Sequence, residues 1–117
     1  MFTTEKAPGE IHERSDRELE REGLDETAKL LLKAAAVIDE IGWCQNGYTK
    51  HGGYCIYGAL DHAAGFDVGE GATNQVVSQA AWRFIDAVKS SVAGWNDTPG
   101  RTKDEVVAKL RAVALGS

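Results

Sequence analysis

Aliphatic side chains recur every three to four positions along most of this chain, and that spacing fixes what it can become. Val76, Val77, Ala80, Ala81, Phe84, Ile85 and Val88 trace one broad stripe if residues 75–90 are helical. Arg83, Asp86 and Lys89 fall largely outside it. Leu24, Ala28, Leu31, Leu32, Ala35 and Ile38 do the same over 26–41, with Lys29, Lys33 and Glu40 off the face. Ile56, Ala59, Leu60 and Ala63 repeat the pattern over 55–64, and Val106, Val107, Leu110, Val113 and Ala114 over 103–114.

The ends of these segments carry matching signals. Asp25 precedes the first as an N-cap, and Gly42 is placed to stop it. Thr73 or Asn74 caps the third. Thr102 stands three residues before Glu105, the spacing of a capping box, and Asp104 adds a second first-turn acid. Before it, Asn96, Asp97, Pro99 and Gly100 are turn formers, with Gly94 ending the preceding segment. The prediction is an all-α domain of about four helices over 24–117. A glycine- and aromatic-rich loop, 42–54, follows the first core helix as a loop or short hairpin. Small residues at Gly58, Ala59 and Ala63 allow another backbone to approach the second helix. Residues 1–23 are densely charged and read as a solvated tail or a marginal surface helix.

Composition narrows the function classes. The chain has 117 residues and a formal net charge of −5, which suits one acidic domain and argues against nucleic acid as the partner. Its longest apolar run, Ala34–Ile38, is far too short to span a bilayer. Met1–Ile11 lacks the apolar stretch of a secretory signal, so a cytoplasmic protein with two reduced thiols is expected.

Four sets of residues are candidates for chemistry. Cys55 falls near a helix N-terminus, where the dipole favours a thiolate, and His51 four residues earlier could act as its base. The plainer alternative is a small core cysteine. Cys44, His51, Cys55 and His62 lack the closely spaced pair of a structural zinc site, so no metal is expected. Trp95, Asn96, Asp97 and Arg101 could form a polar site for an anion or nucleotide, with Asp97 and Arg101 free to pair. The alternative is a turn in which Trp95 packs on the bundle and Arg101 covers the helix entry. Trp43, Tyr48, Tyr54 and Tyr57 could line a groove for a partner or an apolar ligand, or close the core under the loop. No phosphate loop, dinucleotide fingerprint or nucleophile elbow occurs.

Gly42-Trp43-Cys44-Gln45, Tyr54-Cys55-Ile56-Tyr57-Gly58-Ala59-Leu60, Trp95-Asn96-Asp97, Gly100-Arg101-Thr102 and Glu105-Val106 together resemble a family of small uncharacterised proteins. That family, found in bacteria and their phages, carries only a domain-of-unknown-function label. The resemblance covers about Thr27 to Ala114. It implies a compact helical domain, encoded by a phage or prophage, and transfers no catalytic role. The expectation is therefore a non-catalytic, cofactor-free accessory protein that binds another protein. A cysteine-dependent enzyme and an anion-binding module are the alternatives.

Overall fold

Asp25 starts the first helix as the caps predict. Its carboxylate accepts from the Ala28 amide at 2.8 Å, and α1 runs Glu26–Glu40. The computed structural model describes residues 23–116, so the charged segment expected over 1–23 lies almost wholly outside the described residues. Four more helices follow among the described residues: α2 Ile56–Ala63, α3 Gln75–Val88, α4 Val92–Asn96 and α5 Lys103–Ala114. A small hairpin, β1 Thr49–Lys50 and β2 Gly53–Tyr54, interrupts the loop after α1. The protein is mostly helical, a small bundle with one two-stranded ribbon.

α1 is the central rod and packs against α2, α3 and α5. Ala28, Leu31, Ala34, Ala35 and Ile38 are buried, as are Leu30 and Ala36. A helix enclosed on most sides needs apolar or paired residues beyond one stripe. Lys29 shows this. The helical spacing puts it off the core face, yet it is buried and forms an ion pair with Glu26 at 2.7 Å. Val77, Ala80, Ala81 and Phe84 of α3 share a buried side, and Val106, Val107, Leu110, Val113 and Ala114 line the buried side of α5. The capping box at Thr102 closes in both directions, Glu105 amide to Thr102 Oγ1 at 3.2 Å and Thr102 amide to Glu105 Oε1 at 2.9 Å. Arg83 on α3 forks onto Asp25 at 2.8 and 3.1 Å and holds that carboxyl down to about 2.

One local feature departs from the sequence reading. Gly94 does not end a segment, because it lies inside α4. Ser91 caps that short helix by accepting from the Gly94 amide at 3.0 Å, and Val92 and Asn96 are buried. Burial at both ends offsets the cost of a glycine within one turn. The loop over 42–54 holds a short hairpin, as expected, and its turn is His51-Gly52, with φ of +53° and +83°. Positive φ at both central residues is what a two-residue hairpin needs to match strand twist.

Candidate functional site

Asn96, at the end of α4, is 1 % exposed and joins three parts of the chain. Its Oδ1 accepts from Trp43 Nε1 at 2.9 Å and from the Ile56 amide at 3.2 Å, the first amide of α2. Its Nδ2 donates to the Cys44 carbonyl at 3.1 Å and to Asp97 Oδ1 at 2.8 Å. Gln45 Nε2 returns to the Asn96 and Thr98 carbonyls, and the Asn46 amide donates to Asp97 Oδ1. The loop after α1, the start of α2 and the end of α4 are thus tied through one amide. No buried side-chain nitrogen or oxygen among the described residues lacks a partner. A saturated network of this kind fixes geometry and leaves its central amide no free donor for a ligand.

Trp95 and Arg101 form a separate pair. The Trp95 ring meets Phe84 edge-on with centroids 5.2 Å apart. The Arg101 guanidinium lies 3.8 Å above the Trp95 ring, and its Nε donates to the Trp95 carbonyl at 3.1 Å. Asp97 and Arg101 do not pair. Asp97 serves Asn96 and Asn46, while Arg101 leans toward Glu105 at 4.0 Å. The turn at Pro99-Gly100, where Gly100 has φ +86°, sends the two side chains to different neighbours.

Cys55 is the N-cap of α2, and its Sγ accepts from the Gly58 amide at 3.3 Å. Burial pushes the thiol up despite that contact, so desolvation outweighs the helix terminus. His51 stands exposed in the hairpin turn, and no hydrogen bond joins it to Cys55 among the described residues. Cys44 is buried, donates toward the Gly47 carbonyl at 3.4 Å, and its thiol is also pushed up by burial. Both cysteines are free, and no group of three or more His, Cys, Asp or Glu among the described residues could hold a metal. Tyr54 stacks on His62 with ring centroids 5.0 Å apart.

Open space lies beside this network. Two adjoining cavities share Tyr48 and Tyr57 as common walls. The first, about 230 Å³, is nearly all apolar and reaches Cys55, Val92 and the edge of Asn96 and Asp97. The second, about 360 Å³, runs to Asp61, Ser78 and Trp82. Burial raises the Tyr57 hydroxyl, with the Tyr48 and Asp61 side chains adding to it. Trp82 is 68 % exposed and Tyr48 49 % exposed, large aromatic surfaces left wet. Of the residues expected to bind, Tyr48, Asn96 and Asp97 reach these cavities, while Trp43 and Arg101 are engaged in the contacts behind them. Trp82 escaped the sequence reading. Its signal was an indole on the polar side of α3, between Ser78 and Asp86.

The joint between loop and helix is at Gly58. A Cβ there would collide with the Tyr48 carbonyl oxygen, and the Cys55 amide donates to that same carbonyl at 3.0 Å. At Gly53 a Cβ would come within 2.7 Å of the Trp43 carbonyl. The glycines in these motifs therefore let backbones touch where the latch closes.

The motif residues thus fall on one continuous structure, and the sequence pattern of a known family matches residues 23–115. The chain belongs to DUF6197, a family of unknown function. No curated protein and no solved structure matches it. Within this DUF6197 domain, no helix among the described residues is long and apolar enough to cross a membrane.

Proposed function

We propose that this DUF6197 protein is a non-catalytic accessory protein that binds a protein partner through the groove walled by Tyr48, Tyr57 and Trp82. The observation that carries this reading is Trp82, 68 % exposed beside a half-exposed Tyr48 on two adjoining cavities. Tryptophan and tyrosine are enriched where proteins meet, because each buries a large rigid surface at low entropic cost. The residues expected to bind contribute in two ways. Tyr48, Asn96 and Asp97 border the groove, and Trp43, Tyr54, Trp95 and Arg101 hold its back wall in place. The setting proposed is a bacterium or its phage, as the family resemblance implies, and the cytoplasm, as expected from the charged Met1–Ile11 segment.

A thiol raised by burial gives no support to a nucleophile at Cys55. Arg101, stacked on Trp95, gives little to an anion site.

The test is affinity capture from a bacterial lysate with four baits: wild type, Trp82→Ala, Tyr48→Ala and a control, Ala108→Lys, on the exposed side of α5. The expected result is a protein retained by wild type and control and lost by both aromatic variants. Identical capture by all four overturns the reading.

A further inference from the structure

Each cavity reaches one carboxylate, Asp97 in the first and Asp61 in the second, and Asp61 is the more deeply buried. Asp61, on α2, is 3 % exposed and lines the second cavity. Its Oδ2 accepts from the Gly69 amide at 2.7 Å, and Oδ1 takes no hydrogen bond among the described residues. Gly71 presses so closely on Oδ1 that a Cβ there would collide with it. Because no buried side-chain oxygen among the described residues lacks a partner, Oδ1 is open to solvent, and an open carboxylate oxygen beside a cavity is where a cation can pair. Among the described residues, no Lys, Arg or His lines either cavity. The aromatic walls are Tyr57, Tyr48 and the exposed Trp82, a residue type whose ring faces attract cations, and Val77, Ala81 and Ile85 add aliphatic surface. The chain as a whole carries a net charge of −5, which favours approach of a basic surface.

We infer that the second cavity receives the cationic end of a lysine or arginine side chain from a basic segment of the partner, held by Trp82 and the two tyrosines above Asp61. This rests on the partner-binding reading and gives that partner its chemistry. Charge selects the occupant. A neutral aliphatic side chain would fill the same volume and leave Asp61 without a counter-charge.

The probes are N-acetyl-arginine amide, N-acetyl-lysine amide and the neutral isostere N-acetyl-norleucine amide, titrated into the full chain. The readout is the Trp82 indole and Gly69 amide signals in proton–nitrogen correlation spectra. The two cations should give saturable millimolar shifts at both signals, with norleucine amide weaker by about fivefold or more. Asp61→Asn should bring the cationic and neutral probes within about twofold of each other. Trp82→Ala should weaken the cations by about fivefold while leaving the spectrum otherwise folded, which keeps the test decisive if Asp61→Asn unfolds. Equal binding of neutral and cationic probes overturns the inference, as does the absence of saturable shifts. A partner lost by Trp82→Ala in the capture experiment, together with norleucine amide matching arginine amide, overturns the cationic occupant and leaves the partner reading standing. Cation-selective shifts with no captured protein do the reverse.

Discussion

Trp43 and Trp95 are built into the contacts around Asn96 and Phe84, whereas Trp82 walls the second cavity, and the two regions use the same residue type differently. Trp43 spends its indole N–H on buried Asn96, and Trp95 is held between Phe84 and Arg101. Trp82 keeps most of its ring in water. A buried polar amide must have every partner in place, so the first region has one geometry and resists change. The second exposes apolar area that folding leaves uncovered, the surface on which the proposed partner would dock. The Trp95-Asn96-Asp97 motif therefore belongs to the side that holds the fold together. The recognition proposed above belongs to the side with no such motif.

Removing Asn96 is the largest way to break this contrast. Asn96→Ala leaves the Trp43 indole, the Ile56 amide and the Cys44 carbonyl without their partner. Each orphaned buried group costs about 1–3 kcal/mol, and relaxation recovers part of that, so a loss of about 3–5 kcal/mol is expected in urea unfolding. Asn96→Asp should fare nearly as badly. Its carboxylate still accepts from Trp43 but cannot donate to Cys44, and it faces Asp97. If both variants stay within about 1 kcal/mol of wild type, the latch carries no more weight than an ordinary turn.

Most of the scaffold was legible in the sequence, for physical reasons. The faces of α3 and α5 follow helical periodicity, because each helix presents one side to the core. The box at Thr102 was readable because a cap is a local event. Gly58 was readable as a point of close approach, though not what approached. Lys29 was not, because a central helix is buried on more than one side and periodicity assumes one. Asn96 looked like a turn former because its role depends on residues 40 or more positions away in the chain, such as Trp43 at a separation of 53. The groove was half legible. Tyr48 and Tyr57 stood out in a glycine-rich neighbourhood, but Trp82 joins them only after α3 packs beside α2.

Gly58 connects the two regions and gives the middle-sized effect. Gly58→Ala drives a methyl group into the Tyr48 carbonyl, so the loop has to move or α2 has to shift. Overpacking of this kind costs about 1–3 kcal/mol. The displaced element carries Tyr48, a wall of both cavities, so this variant should weaken probe binding as well as stability. Unchanged probe binding in a destabilised Gly58→Ala chain would mean that the groove does not depend on the loop's seat.

Trp82→Ala sharpens the contrast because its effect on folding should be nearly nil. With 68 % of the residue already in water, truncation removes little buried surface, and the Thr27–Gln79 and Asp25–Arg83 contacts on the same helix remain. Alanine is also the better helix former. The expected change in unfolding free energy is within about 0.5 kcal/mol of zero, read from the urea midpoint at constant slope. A loss above about 2 kcal/mol would show that the indole is anchored in the fold, and the groove would then be a by-product of packing. Near-neutral folding with lost binding is the combination a purely structural tryptophan cannot produce, because its packing and its effect on stability are the same contacts.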